Sequence, residues 1–179
     1  MVMYKNKIPL VPAEEIGYHL GLIVPSSEAR LFYNVRASDR KPPSGVGYGT
    51  RIYLDEFNPN EAFKKLHIPL SLTVLPISSF DTADSVFNFL LKAEEKNEDI
   101  LFCFNHGVLV DDPARNWGHL VLFDRIIDKQ FRIIDPSPTH PKWRLVKPEK
   151  MFLAMKKHGE KPTAAGLWRI KKIYFFSGI

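Results

Sequence analysis

Two apolar runs separated by a short polar turn are the feature that most constrains how this chain can fold. The runs are Trp117–Ile127 and Gln130–Asp135, and Asp128-Lys129 stands between them. Strands joined by so short a loop pair antiparallel, because the chain has no room for a crossover connection. The sequence therefore predicts a β-hairpin and, with it, an antiparallel sheet.

The hairpin brings a histidine and an aspartate to the same end. Ile127 lies midway between His119 and Asp135, so Asp135 is expected opposite some residue from His119 to Leu122. A carboxylate bonded to one imidazole nitrogen fixes the tautomer and leaves the other nitrogen as a base. In the alternative interpretation His119 only ends a strand, and Asp135 starts a turn with Pro136.

Other segments carry the signals of helices and strands. Helices are predicted to begin near Pro12, at Asn58-Pro59, at an Asp81 cap and at Pro148, the last ending at Gly159. The further strands are predicted over Leu70–Ile77 at a sheet edge, Ile100–Phe104 in the sheet interior, and Leu167–Phe176. Helices followed by a mostly antiparallel sheet indicate an α+β fold, and the length favours one domain over residues 1–179.

Composition narrows the classes of function and partner. The formal net charge is +5, but the basic residues are scattered, so nucleic-acid binding is not expected. No apolar run is long enough for a membrane span, and Cys103 is the only cysteine, so an internal disulfide is excluded. The N-terminus lacks the apolar core of a secretion signal. We expect a cytoplasmic protein without a membrane partner, and the oligomeric state stays open.

The hairpin and its flanks resemble a known family. The run from Gly118 to Pro136 is similar to the His strand, hairpin and Asp-Pro of papain-like cysteine peptidases of the bacteriocin-processing type. Asp81–Asn105 resembles the helix and buried strand that precede them, and Trp143–Gly159 the helix that follows. The resemblance covers residues 58 to 159 and implies a papain-like fold, in which His119 and Asp135 are the His and Asp of the active site.

The nucleophile of that family is a cysteine at a helix start, where the helix dipole and the histidine lower its pKa. No cysteine occurs between Met1 and Asn58. Cys103 has the right order relative to His119 and Asp135, but it stands mid-strand in an apolar run, which is typical of an unreactive core thiol. Hydroxyls of Ser44 or Thr50 are further candidates.

Other residues are candidate walls of a cleft. The Gly-rich stretch from Gly45 to Thr50, with Tyr48 and Thr50, belongs to the longest loop of the chain. Asn105 and His106 follow the interior strand and could border the same cleft. The stretch lacks the strand and the Gly-Lys-Ser/Thr of a phosphate loop. The histidines show no metal spacing, so neither a cofactor nor a metal is expected.

Three functions stay open at this point. The leading hypothesis is a catalytically degenerate papain-like domain that binds a peptide or protein segment in the former active-site cleft. The first alternative is an active thiol hydrolase or acyl or peptidyl transferase, with Cys103 or a hydroxyl as nucleophile and His119 as base. The second alternative is a structural or interaction module in which the His–Asp pair is only a hairpin clasp.

Overall fold

The structure is a computed structural model that describes residues 1–40, 48–52, 54–137, 140–159 and 165–173. The chain divides into two compact units, one made of Met1–Ser71 with the chain from Lys172 on, and one made of Leu72–Lys171. The prediction of a single domain stays a prediction. None of the described helices is long and apolar enough to cross a membrane.

The first unit holds short helices and a small sheet. Its helices and strands are α1 (Val2–Lys5), α2 (Ala13–His19), β1 (Ile23–Pro25), β2 (Arg36–Ser38) and α3 (Pro59–Lys65). Strands β1 and β2 pair parallel. The two helix starts predicted here are confirmed, because Pro12 precedes α2 and the Asn58 side chain accepts a hydrogen bond from the Asn60 N–H at 2.9 Å.

The second unit holds the main sheet. Its helices and strands are β3 (Leu70–Pro76), which begins just before the unit boundary, α4 (Ala83–Glu95), β4 (Asp99–Asn105), α5 (His106–Val110), β5 (Gly118–Ile127), β6 (Gln130–Ile134), β7 (Trp143–Val146), α6 (Pro148–His158) and β8 (Gly166–Lys172). The strand order is β3-β8-β4-β5-β6-β7. The pairs β4–β5, β4–β8, β5–β6 and β6–β7 are antiparallel. The mostly antiparallel α+β fold is thus confirmed, with β3 at an edge as predicted.

One face of this sheet carries the core of the second unit. Alternate residues of β4, β5 and β6 point to that face and pack against α4 and α6. They are Ile100, Phe102, Phe104, Val121, Phe123, Phe131 and Ile133, covered by Val86, Leu90, Met151 and Met155. All are nearly or fully buried. This packing makes the strands that carry His119 and Asp135 a rigid platform.

The central hairpin has a two-residue turn and one irregularity. Asp128 and Lys129 both have positive φ, 48° and 59°, which is the backbone of the tight turn that suits a hairpin. The register shifts between Phe123 and Arg125, so β5 contains one extra residue there, a β-bulge.

Three local predictions need correction or addition. Thr82, not Asp81, caps α4: its hydroxyl accepts from the Ser85 N–H at 3.1 Å, and the Ser85 hydroxyl accepts from the Thr82 N–H at 3.2 Å. This reciprocal capping box satisfies two N–H groups, so the hydroxyl pair sets the helix start. The strand β7 lies in a segment that resembles a helix in the sequence analysis, and the short helix α5 was not predicted. The end of the predicted last strand, residues 174–176, lies outside the described residues.

Candidate active site

His119 stands near the start of β5, on the face of the sheet that carries the core. Its register partner is Phe104 of β4, and the two rings meet edge to face with centroids 5.8 Å apart. Cross-strand partners point to the same face, so His119 continues the buried aromatic row at its rim. The side chain keeps 19% of its surface exposed, which leaves the imidazole accessible from one side.

Asp135 follows β6 directly and is held from several sides. Its backbone N–H donates to the Lys142 carbonyl at 2.9 Å, which fixes the chain at the end of the strand. Its side chain is fully buried, and Oδ1 accepts from His119 Nε2 at 2.8 Å and from the Ser137 N–H at 2.9 Å. The contact with Ser137 is the local turn that an Asp-Pro sequence favours. Both interpretations of Asp135 therefore apply, since it starts a turn and also binds His119.

Arg144 is a third member of the pair that the sequence did not suggest. It lies on β7 opposite Ile133, so its side chain points to the core face, and Nη2 donates to Asp135 Oδ2 at 2.5 Å. The Arg144 side chain is 16% exposed, and its Nε has no hydrogen-bond partner among the described residues. Burial acts to raise the pKa of Asp135, but the Ser137 N–H, His119 and Arg144 outweigh it and hold the pKa below its ordinary value.

The ionised carboxylate determines which imidazole nitrogen is free for chemistry. Because Asp135 accepts at both oxygens, the neutral form of His119 carries its proton on Nε2. Its Nδ1 then has a lone pair and no hydrogen-bond partner within the described ranges. A histidine oriented in this way can accept a proton from a hydroxyl, a thiol or a water, or accept a hydrogen bond from a ligand.

A pair of histidines, His106 and His140, lies beside the His119–Asp135 pair. His106, at the start of α5, is 3% exposed, and its ring centroid is 4.8 Å from that of His119 and 4.9 Å from that of His140. Nε2 of His106 and Nε2 of His140 are 3.0 Å apart, and Arg115 Nη1 is 3.2 Å from the same His140 nitrogen. Since a guanidinium can only donate, His140 Nε2 accepts and His106 Nε2 donates.

The resulting tautomer leaves His106 neutral with an unpaired nitrogen. Its Nδ1 carries a lone pair, is buried and has no hydrogen-bond partner in the described part of the chain. Burial, together with the electrostatic influence of His119, His140 and Arg144, lowers the pKa of His106 to about 4, and the Asp135 carboxylate offsets only part of this. Perturbed titratable groups of this kind concentrate at functional sites.

The loop after α5 carries an aromatic side chain over this cluster. The Trp117 ring stacks on His106 with centroids 5.6 Å apart, and Trp117 is 50% exposed. The loop folds back through two backbone bonds, from Asp112 N–H to the Gly107 carbonyl and from His106 N–H to the Trp117 carbonyl, both 2.9 Å long. A Cβ at Gly107 would lie 2.5 Å from the Asp112 carbonyl oxygen, so this approach requires glycine.

Cys103 lies on the other face of the sheet. Its partner across the ladder is Leu120, whereas His119 pairs with the neighbouring Phe104, and successive strand residues point to opposite faces. Cys103 is 4% exposed, and burial raises the pKa of its thiol to about 12. Sheet geometry therefore separates the thiol from the imidazole.

The four residues expected to line a cleft fall in different places. Asn105 caps α5 by accepting from the Val108 N–H at 3.1 Å and donates to the Asn116 side chain at 2.7 Å, so its polar atoms hold the loop. His106 contacts His119, as described. Tyr48 and Thr50 belong to the first unit, flanking Gly49, whose N–H and carbonyl both bond to Ile23. Their predicted role in a cleft stays a prediction, and Ser44 with the rest of 41–47 lies outside the described residues.

Several residues of the site were missed from the sequence. They are Arg115, His140 and Arg144, all brought together by loops or by β7. The sequence carried no signal for Arg144, because in Trp143-Arg-Leu-Val the apolar Trp143 and Leu145 are exposed and Arg144 points inward, the reverse of the usual alternation. Among the described residues, no group of three or more His, Cys, Asp or Glu side chains could hold a metal ion.

Comparison with known proteins bears on the fold alone. No protein-family model matches the chain, and no curated protein matches it. The α+β fold is papain-like, and a solved structure shares it. A Bacillus anthracis protein assigned to the C39-like peptidases aligns over 96% of this chain and 86% of its own, with a TM-score of 0.53 and 15% sequence identity.

Proposed function

We propose that this chain is a papain-like domain that binds a peptide or protein segment beside the His119–Asp135 pair and does not cleave it by cysteine chemistry. One observation carries the proposal. The only cysteine of the sequence, Cys103, is buried on the sheet face opposite His119. The imidazole cannot take the proton of a thiol that lies on the other side of the sheet.

The acidity of the thiol supports the same conclusion. A thiol whose pKa is about 12 is ionised in roughly one molecule in thirty thousand at pH 7.5. Catalytic cysteines have the opposite property, because a helix N-terminus or a neighbouring cation lowers their pKa. Cys103 therefore has the burial and acidity of a core residue.

Peptide binding is supported by what surrounds the pair. His119 Nδ1 is a hydrogen-bond acceptor of the kind that a backbone N–H can use, and the half-exposed Trp117 stacks on His106, whose ring contacts His119. Exposed aromatic side chains held against a rigid scaffold are common anchors of peptide ligands. The structural neighbour assigned as a C39-like peptidase belongs to a class that acts on peptides.

The intact pair also favours a second candidate. An imidazole fixed by an ionised carboxylate, with its other nitrogen free, can act as a general base for a hydroxyl. A hydrolase or acyl transferase with a hydroxyl nucleophile would use this arrangement. The two candidates differ in whether a bound peptide is changed.

Thiol labelling tests the observation that carries the proposal. With iodoacetamide at pH 7.5, Cys103 of the native protein is expected to react at least about a thousandfold more slowly than in urea, because its pKa lies three units above the ordinary 9.0. Mass spectrometry measures the labelled fraction over time, and His119→Ala should leave the native rate unchanged. Fast native labelling that is lost in His119→Ala would instead identify a thiolate–imidazole pair and overturn the proposal.

Peptide binding is tested with a tryptic digest of casein. We expect the protein to retain a subset of these peptides in equilibrium dialysis and to leave their masses unchanged. Trp117→Ala should weaken retention, whereas Trp143→Ala, which removes another exposed indole, should not. Cleaved or acylated products that disappear in His119→Ala would establish the enzymatic candidate, and no retention of any peptide would contradict both.

A further inference from the structure

We propose that Arg115, His140 and Trp117 form a carboxylate-binding rim beside the His119–Asp135 pair. The inference rests on the proposed peptide-binding function and specifies which part of the peptide is recognised. The three residues lie on the two loops that flank the pair, one after α5 and one after Asp135. They offer hydrogen-bond donors and an apolar face.

Arg115 has N–H groups that are not used in hydrogen bonds within the described part of the chain. Its Nε donates to Asp112 Oδ2 at 3.1 Å and its Nη1 approaches His140 Nε2 at 3.2 Å. The two N–H groups of Nη2 have no partner among the described residues, and the side chain is 38% exposed. Asp112 and His140 hold the guanidinium in place, so a ligand would meet an ordered donor instead of a mobile one.

His140 adds a donor on the same rim. Because its Nε2 accepts from both Arg115 and His106, the neutral ring carries its proton on Nδ1. No residue in the described ranges accepts a hydrogen bond from that Nδ1–H. The rim therefore presents unpaired donors, which match the lone pairs of a carboxylate.

The nearby acids do not compete for these donors. Asp112 already accepts from Arg115 Nε and from the Ala114 N–H at 3.0 Å. Asp135 accepts from His119, Ser137 and Arg144 and is fully buried. Each carboxylate oxygen of these two acids thus already accepts from a donor other than Arg115 Nη2.

The buried His106 connects the rim to the pair. It contacts His119 on one side and His140 on the other, and Trp117 stacks on it. His106 is 3% exposed, and its buried Nδ1 has no hydrogen-bond partner among the described residues, an arrangement that calls for an explanation in a folded domain. A carboxylate on Arg115 would thus be linked to His119 through His140 and His106, and the Trp117 indole stacks on the same His106.

Three small probes test the rim by NMR titration. N-acetyl-leucine has a free carboxylate, N-acetyl-leucine amide lacks it, and the α-amide of N-acetyl-aspartate carries a side-chain carboxylate. We expect N-acetyl-leucine to bind at least about tenfold more tightly than its amide and to shift the Trp117 indole signal. Binding of the aspartate probe as well would indicate any peptide carboxylate, and binding of N-acetyl-leucine alone would indicate the C-terminal one.

Arg125 provides a matched control. Like Arg115 it is exposed and donates its Nε to a nearby aspartate, here Asp124 at 3.2 Å. Arg115→Gln should abolish the preference for the carboxylate probes, and Arg125→Gln should keep it, with both variants showing the circular dichroism of the native protein. Three results would contradict the proposed carboxylate-binding rim. They are equal binding of acid and amide, no binding of either at tens of millimolar, and a preference that persists in Arg115→Gln.

The two proposals fail in different ways. Casein peptides retained without a carboxylate preference would remove the rim and leave peptide binding intact. His119-dependent cleavage of those peptides would contradict the proposed non-catalytic function. The preference of the protein for probes with a carboxylate is independent of that result.

Discussion

Replacing Asp135 by alanine is expected to lower the free energy of unfolding by about 3–5 kcal/mol. The carboxylate is fully buried and is the acceptor for both His119 and the largely buried Arg144. Without it, the guanidinium stays in the interior with no compensating charge, and its Nε already has no partner among the described residues. Urea denaturation followed by circular dichroism measures the loss.

Asp124 is a suitable control for this experiment. It also accepts from two arginines, Arg125 and Arg132, but its side chain is 20% exposed and solvent screens the pairs. Asp124→Ala should therefore cost about 1 kcal/mol or less. The double variant Asp135→Ala/Arg144→Met also lacks the unpaired guanidinium charge, so it should recover part of the lost free energy of unfolding. A cost below about 1 kcal/mol for Asp135→Ala would show that Arg144 reaches solvent easily and that the buried ion pair is not structural.

Lowering the pH from 7 to 4 is expected to destabilise the protein through His106. The pKa of this imidazole is about 4 in the folded protein against an ordinary 6.5, so the unfolded chain binds the proton first as the pH falls. The stability that neutral His106 contributes is complete above about pH 6.5 and is lost progressively as the pH falls to 4. The loss attributable to this residue is about 2 kcal/mol at pH 5 and about 3 kcal/mol at pH 4.

His106→Phe isolates this contribution. The phenyl ring keeps the stacking with Trp117 but cannot be protonated, so stability should vary less with pH in the variant than in the native protein. Burial also lowers the pKa of His158, but that effect is present in both proteins and cancels in the comparison. Unfolding free energies measured at half-unit steps between pH 4 and 7.5 give the two curves. Parallel curves would mean that His106 titrates at its ordinary pKa, and the neutral tautomer inferred for the cluster would then be wrong.

Much of the fold could be predicted because its signals are local. Asn58-Pro59 starts α3, Pro148 starts α6, and the apolar run around Phe102 forms the interior strand β4. Each depends on a cap, a proline or a stretch of apolar residues that acts within a few positions. The strand β7 has only four residues, and its pairing with β6 arises from tertiary contact, so no local signal marks it strongly.

The candidate site was predictable only in part, for a related reason. His119 and Asp135 share one hairpin, and the turn length limits how far apart they can be. Arg144, His140 and Arg115 reach the site through β7 and two loops whose paths the spacing of residues does not determine. The burial of Cys103 was expected from its apolar neighbours, but its position opposite His119 required the register of β4 and β5.

The bulge in β5 decides on which side of the sheet Asp135 lies. Near the turn Ile126 pairs with Phe131, but beyond the extra residue Leu122 pairs with Ile134, so the ladder continued by one step sets Asp135 opposite Val121, two positions from His119. A hairpin with the same turn and no extra residue would place Asp135 opposite Leu122, on the face that His119 does not share. The pair thus depends on the one extra residue that β5 has relative to β6. A change of length there would separate the two side chains without altering either one.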